Sequence, residues 1–463
     1  MSMKHHINQL RFIQIILLSI CVSISVYQCY FDLQTLFKDS NGQDLRIFMQ
    51  FTHDFTLTGQ MYYRPSAEGG EISSLFRPTS PVLKFPPAFA LQLISFTNQI
   101  DNHQFYFFAR VIMLISYCVA CISLMVYIMK KWYASSPSRY QIFFFIALTT
   151  IVATSSDWLR MGIFMCNYEI PIFLLLVVSF FLLKKLPVLS GTIIGYAISV
   201  KIYPAFIAIF LAQQKNIRAF YGVFLGVVFF SFLGVLVFGA KENSYYFSEV
   251  LPVLLREKPA GIIDNLSLAG AILDIFGNTF LANATFLSTK LLFSALTIIL
   301  YYRYPRSQKE TLEWFSILLI LMLIYLPNYW TQYRIFLFPA CCIAARKASS
   351  PSATATLLLA FCIAAAIPDI HTWSNYLLST QSDSYSTLTP TTEQLASAFN
   401  EGHLYKVMKL LAPYSPWSVF LYFLTKAKAL VPFLLWFIVA HEIIQASSKK
   451  KDGDQPTSSN PEQ

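Results

Sequence analysis

Long apolar runs recur along the whole chain, and Lys and Arg gather in the short gaps between them. No other feature constrains the fold as strongly. About 20 apolar residues cross a hydrocarbon slab as one helix, and a spanning helix satisfies its own backbone hydrogen bonds. Composition agrees with that reading. Of 463 residues, 56% are hydrophobic and only 13% are charged, where a soluble domain carries about 25% charged residues. The expected fold class is all-α: a polytopic membrane protein of about twelve transmembrane helices with amphipathic helices on its outer face.

The candidate spans fall near 12–31, 105–129, 141–156, 163–183, 187–200, 203–214, 219–239, 286–302, 312–327, 333–346, 353–369 and 430–446. Several are short, as expected for helices surrounding a cavity at the membrane edge. With this set, the loops carrying Lys130, Lys131 and Arg139, then Lys184 and Lys185, Lys215 and Arg218, Arg303, Arg306 and Lys309, and Arg346 and Lys347 all share one side with the N-terminus and with Lys449–Lys451. The positive-inside rule makes that side cytoplasmic. This arrangement requires 187–214 to be a hairpin of two short helices turning near Lys201–Pro204.

Residues 1–448 then form one membrane-embedded domain, with outer segments at 32–104, 240–285 and 370–429. The third outer segment holds an apolar pattern over Leu395–Leu411 that reads as a surface-lying helix. The polar tail 449–463 reads as disordered and cytoplasmic. Lys4 and Arg11 before the first run suggest an uncleaved first span, since no small-x-small cleavage site follows. The expected location is the plasma membrane, a bacterial inner membrane, with both termini cytoplasmic.

The formal charge of +10 is spread in small groups without an aromatic-interleaved patch, so nucleic acid is not the expected partner. The eight cysteines fall almost entirely within apolar runs and read as small buried residues. No P-loop, GxGxxG, HExxH or GxSxG is present. The outer loops hold no Asp-x-Asp pair, so neither a metal nor any other cofactor is expected. Asn265 and Asn283 begin N-x-Ser/Thr sequons, a pattern common by chance.

The candidate chemistry gathers at the outer ends of the spans. Between Asp44 and Gly59 the positions Ile47, Phe48, Phe51, Phe55 and Leu57 mark an amphipathic helix, followed by Tyr62, Tyr63 and Pro65 at an interface-like position. Asp157 and Arg160 lie in the short loop DWLRMG, Asn167 and Glu169 just inside the next span, and Lys201, Tyr203 and Pro204 at the hairpin turn. Asn328, Tyr329, Trp330, Gln332 and Arg334 occupy another short outer loop. Arg110 alone reads as a snorkelling or paired arginine, with Glu169 as partner either to it or to Lys201. Lys201 and Arg334 break the positive-inside pattern, and cations there suit a phosphate at the membrane surface.

Several of these blocks, in order, resemble the integral-membrane C-type glycosyltransferases, and among them glycosyltransferase family 87. Asp44 through Gly59 to Tyr62 is similar to the family's aspartate, helix, glycine and tyrosine. Phe85-Pro86-Pro87 is similar to its proline-rich entry, and Gly162 to Asn167 to a degenerate Gly-Gln-x-Asn block. GYAISVKIYP at Gly195–Pro204 carries the most specific likeness. Asn265-Leu266-Ser267 and Pro327 to Tyr333 resemble two later blocks, although Trp330-Thr331-Gln332-Tyr333 stands where relatives often have Trp-x-His-Tyr. The resemblance covers roughly residues 40–345.

It implies an active site on the outer face and an inverting, one-step transfer from a polyprenyl-phosphate sugar, mannose favoured, to a lipid or glycan acceptor among membrane lipids. Asp44 would be the catalytic base. Lys201, Arg334 and Arg160 would bind the donor phosphate. Asn167, Tyr203, Gln332 and Tyr62 would contact sugar or acceptor. The alternatives are a transporter or flippase for a lipid-linked sugar, and a non-catalytic subunit of an envelope-assembly machine.

Overall fold

The computed structural model describes residues 9–62 except 21, 24 and 26–42, residues 85–350 except short stretches at 134–135, 155–156, 214, 260–264, 277–278 and 305–310, and residues 352, 355–358 and 426–453. Residues 370–425 of the expected outer segment 370–429, with its surface helix, most of the span 353–369, and Tyr63 and Pro65 lie outside the described residues. Among the described residues there are helices and no strand, with one isolated bridge pairing Asn265 and Trp330.

The helices follow the apolar runs. In chain order they are α1 (Gln9–Ile20), α2 (Gln43–Thr58), α3 (His103–Tyr133), α4 (Arg139–Thr154), α5 (Asp157–Phe164), α6 (Glu169–Leu182), α7 (Pro187–Val200), α8 (Phe206–Gln213), α9 (Ile217–Tyr245), α10 (Leu268–Phe276), α11 (Thr279–Arg303), α12 (Thr311–Tyr325), α13 (Phe338–Ala348) and α14 (Val431–Gly453). Five helical stretches, His103–Tyr133, Arg139–Phe164, Ile217–Leu255, Thr279–Arg303 and Lys428–Ser447, are long and apolar enough to cross a membrane. The protein is a polytopic helical membrane protein. α12 is buried along almost its whole length and forms the centre, whereas α9 and α11 turn Phe224, Phe229, Leu236, Leu287 and Leu291 outward, as lipid-facing helices do.

The run 187–214 is built as two short helices around Lys201. α7 and α9 lie side by side so closely that a methyl group on Gly195 would stand 2.5 Å from the Val223 carbonyl oxygen, and one on Gly226 2.6 Å from that of Thr192. Both neighbours are backbone, so only glycine fits. Gly191 meets Ala219 and Val223 while Gly195 meets Val223 and Val227, so the register advances in the same direction along both helices. Two parallel neighbours need a return segment between them, and α8 supplies it. At about 1.5 Å per residue, the 14 residues of α7 reach about 21 Å, less than the ~30 Å hydrocarbon thickness. α7 alone is therefore too short to cross the full hydrocarbon layer.

Three ion pairs gather at one end of the bundle. Lys131 at the end of α3 meets Glu313 at the start of α12, at 2.9 Å. Arg346 and Lys347 at the end of α13 both meet Glu442 of α14. Gln14 of α1 donates to the carbonyls of Ala348 and Ser350 and accepts from Tyr140 OH. The Asp44 region lies at the opposite end.

Five expectations are corrected. DWLRMG is not a loop but the body of α5. Its left-handed residue, Cys166 at φ 51°, ends the helix, with Asn167 N–H donating to the Gly162 carbonyl in a C-terminal motif that glycine usually supplies. The following span begins only at Glu169, and the span expected from 333 begins as a 3-10 turn over Thr331–Leu337 before α13. α14 continues through Lys449–Lys451 to Gly453, since lysine is a good helix former and is favoured at a helix C-terminus. Among the described cysteines, Cys118 is exposed while Cys121, Cys166, Cys341 and Cys342 are buried.

Candidate active site

α2 covers the end of the bundle opposite the Lys131–Glu313 pair. Its buried face, Leu45, Phe48, Met49 and Thr52, follows the helical period. The Phe48 ring stands edge-on to Phe85, Phe89 and Tyr168, and Phe55 meets Phe238 of α9. Aromatic edge contacts add about 0.5–1.5 kcal/mol each beyond area burial, so this face anchors α2.

The far end of α2 is fastened as well. Gly59, at φ 71°, ends the helix. The Glu242 carboxylate then accepts from the backbone N–H groups of Met61 (3.0 Å) and Tyr62 (3.4 Å). Tyr62 OH donates to the Phe85 carbonyl at 2.5 Å, and its ring lies over Tyr245 and Tyr246. Glu242 reaches this position because Gly239, at φ 82°, kinks α9 one turn earlier. Glu242 is the residue the sequence reading missed. Its signal was an acid three residues after Gly239, just past the expected span 219–239.

Asp44 is in the first turn of α2, half-buried, with its N–H donating to the Met165 carbonyl at 3.0 Å. Asn167 Nδ2 donates to Asp44 Oδ2, and Asn167 Oδ1 accepts from Glu169 N–H at 3.0 Å. That second bond fixes which way the amide points. Burial pushes the Asp44 carboxyl up to about 6, against the lowering effects of the Asn167 hydrogen bond and the nearby Lys201 charge.

Glu169 is fully buried and accepts from Lys201 Nζ at 2.5 Å. The Lys201 ammonium lies 4.7 Å from the Phe85 ring centre, 5.4 Å from Tyr333 and 5.9 Å from Tyr203, a desolvated cation between an acid and ring faces. Lys201 is thus not a surface cation in an outer loop, and its partner is Glu169. Tyr203 and Tyr333 also face the Glu169 carboxylate.

Arg334 is buried beside this group in the 3-10 turn Thr331–Leu337, with its guanidinium 5.5 Å from the Trp158 ring of α5. Trp158 Nε1 donates to Tyr117 OH of α3, which in turn donates to the Ala153 carbonyl. Arg160 and Gln332 are half-buried on α5 and the 3-10 turn, two elements packed against each other. The 3-10 turn is positioned from below. Asn265, fully buried, donates to Asn328 Oδ1 and accepts from the N–H groups of Ser267 and Tyr329, and Leu266 N–H donates to the Tyr329 carbonyl. The sequon at Asn265 is therefore a structural clasp, inaccessible to glycosylation in the fold.

The structure brings Asp44, Asn167, Lys201 and Tyr203 into one neighbourhood around Glu169. Arg334 and Arg160 lie on the adjoining elements, and Tyr62 acts through the clasp at the other end of α2. An open cleft of about 520 Å³ beside Gln50, His53, Asn98 and Asp101 lies on the opposite face of α2 from Asp44. Among the described residues no group of three or more His, Cys, Asp or Glu side chains is placed to hold a metal ion.

Fold and site together define a polytopic helical membrane protein that holds one carboxylate of raised pKa, among buried polar groups, at one end of the bundle. Residues 84–327, more than half of the chain, match glycosyltransferase family 87. The chain belongs to that family. Arg160, Asn167, Lys201 and Tyr203 lie within the matched stretch, whereas Asp44, Tyr62, Gln332 and Arg334 flank it. The chain is also 30% identical over 156 residues to the polyprenol-phosphate-mannose-dependent alpha-(1-2)-phosphatidylinositol pentamannoside mannosyltransferase of Mycobacterium tuberculosis (strain CDC 1551 / Oshkosh). That similarity covers 33% of this chain and 34% of the relative. No solved structure matches.

Proposed function

We propose that the protein moves a sugar, mannose favoured, from a polyprenyl-phosphate donor to a hydroxyl of a glycolipid or glycan acceptor. The reaction takes place at the outer face, with both termini cytoplasmic. The carrying observation is Asp44, a carboxylate pushed up to about 6 and aimed by Asn167. A base of that strength is matched to a proton taken near neutral pH better than an ordinary aspartate is.

Asp44 takes the proton of the acceptor hydroxyl as its oxygen bonds to the anomeric carbon. The bond from that carbon to the phosphate oxygen breaks, and polyprenyl phosphate leaves. Attack from the face opposite the leaving group inverts the anomeric centre. Arg334 and Arg160 stabilise the departing phosphate charge. Lys201, already paired with Glu169, contributes as part of that pair, and the two hold Tyr203 and Tyr333 in place. Asn167 acts on Asp44 and not on the sugar. Gln332 and Tyr203 are left to orient sugar hydroxyls, and Tyr62 sets the position of α2.

The relative's requirement for polyprenol-phosphate mannose supports the donor class. The position of the site, at the end of the bundle away from Lys131, Arg346 and Lys347, supports the outer face. The test supplies purified protein with polyprenyl-phosphate mannose and a phosphatidylinositol-mannoside acceptor. The expected result is sugar transfer with release of polyprenyl phosphate and no use of a nucleotide sugar. Turnover with the nucleotide sugar alone contradicts the proposal.

A further inference from the structure

Lys290 is the one charged residue of α11 before its terminal Arg303. A lysine so placed in a membrane helix is costly and marks a cavity, a partner or a pathway. Among the described residues it makes no ion pair. Its ammonium lies 3.6 Å from the Phe286 ring centre and 5.2 Å from that of Tyr325.

These two rings fix its level in the bundle. Phe286 is one turn toward the helix N-terminus, the direction in which helical side chains lean. Tyr325 is the last residue of α12, two before Pro327, whose carbonyl accepts from Ser267 Oγ at 2.9 Å and where the loop to Arg334 begins. The Tyr325 ring lies 4.8 Å from Phe206, which follows directly on the turn Tyr203–Ala205. The ammonium is therefore level with the last turn of α12, just below the candidate site.

The surroundings are mixed in a particular way. Asn283, Lys290 and Ser294 share one face of α11 by helical spacing, and Ser294 Oγ lies 2.8 Å from Tyr325 OH. Leu287 and Leu291, on either side of Lys290, are 58% and 63% exposed. A cation, hydroxyls and aromatic rings thus lie together where α11 meets the end of α12, near the exposed Leu287 and Leu291, and Phe206 links this group to the turn at Tyr203.

We propose that Lys290 receives the phosphate of the lipid-linked donor as it enters sideways from the bilayer through the seam between α11 and α12. The proposal rests on the function proposed above. An ammonium on a flexible stem suits a phosphate that must bind and then move on, and the rings of Phe286, Tyr325 and Phe206 suit an unsaturated, branched hydrocarbon chain. Lys290 is a binding residue of the entrance. Arg334 and Arg160 hold the phosphate where the bond breaks.

The test measures thermal unfolding of the full-length protein in detergent, titrated with sugar-free polyprenyl monophosphate, neutral polyprenol or phosphatidylglycerol. It uses wild type, Lys290→Arg and Lys290→Gln. Polyprenyl monophosphate should stabilise wild type and Lys290→Arg, and its apparent affinity should fall about ten- to hundredfold in Lys290→Gln. Polyprenol should act equally weakly on all three. In the transfer assay Lys290→Gln should raise the donor KM by a similar factor, with kcat and the acceptor KM unchanged. Equal affinity of wild type and Lys290→Gln for polyprenyl monophosphate overturns the proposal. So does an equal dependence on Lys290 for phosphatidylglycerol, which would make it a general phospholipid contact. So does loss of a co-purifying membrane protein in Lys290→Gln with polyprenyl phosphate binding intact. The binding arm needs no turnover: wild type that binds polyprenyl phosphate through Lys290 yet transfers no sugar sinks the transferase mechanism and leaves this site standing.

Discussion

At the residue scale, the shift at Asp44 has two opposite consequences. As a base it must be ionised, so kcat/KM should rise with pH through about 6 and level off above. A pH profile of transfer measures this, and an acid limb centred near the ordinary 3.8 would show that burial does not tune the group. For folding the sign is reversed. The folded value lies above the ordinary one, so the stability Asp44 contributes is fully present below 3.8 and is lost as pH rises toward 6. Asp44→Asn, always neutral, should melt higher than wild type at pH 7 and no higher at pH 4. Lys201 requires a different design. Lys201→Gln strands a fully buried Glu169, and breaking a buried pair from one side costs about 3–5 kcal/mol. Little folded protein is expected. The double variant Lys201→Gln with Glu169→Gln should recover folding, which separates the lysine's structural part from its part in donor use. Recovery of folding without recovery of transfer is the expected outcome, and full transfer in the double variant would remove the pair from the reaction.

At the element scale, α7 and α9 pack backbone against backbone at their glycines. This packing sets the height of the Lys201 turn, because α7 is short and its register against α9 is locked by Gly191, Gly195, Gly222 and Gly226. Gly195→Ala forces a methyl group against the Val223 carbonyl, and overpacking of this kind costs about 1–3 kcal/mol. Thermal unfolding in detergent should fall accordingly. Alanine at Gly59, which has open space around it but φ 71°, should cost only the left-handed backbone penalty of about 1–2 kcal/mol. If Gly195→Ala were neutral, the close approach of α7 and α9 at Gly195 would be wrong. The hairpin itself was legible in the sequence from the basic loops on both sides. The glycine spacing that seats it was present in the sequence too, yet four glycines do not reveal which helix each will face.

At the scale of the whole molecule, the ion pairs of Lys131, Arg346 and Lys347 at one end and the Asp44 region at the other give the bundle its polarity. Cysteine placed at Ser136 in a cysteine-free background should be labelled only from the cytoplasm by a membrane-impermeant reagent, and cysteine at the exposed Asn98 only from outside. Labelling of both from one side would contradict the topology. The helical membrane class was readable from apolar length alone, and the amphipathic α2 from its period, ending one residue before Gly59. The pairing of Lys201 with Glu169 was open in the sequence, where Arg110 competed for the same acid, because two buried cations and one acid do not sort themselves by spacing. Asn167 read as a sugar contact because its hydrogen bond to Asp44 joins residues 123 apart in the chain. Glu242 escaped notice for the same reason, since its partners are backbone N–H groups 181 and 180 residues away.

The central claim is that Asp44 is the base. Turnover of Asp44→Asn on a polyprenyl-phosphate sugar, measured beside Asp54→Asn, tests it most directly. Asp54 lies ten residues on along the same helix and accepts from Gln50 at 2.8 Å, away from Asn167. General-base catalysis typically contributes about 10²–10⁴-fold. Asp44→Asn should therefore lose turnover by that order with donor binding intact, and Asp54→Asn should stay near wild type. Near-normal transfer by Asp44→Asn, or a dead Asp54→Asn, would contradict the account.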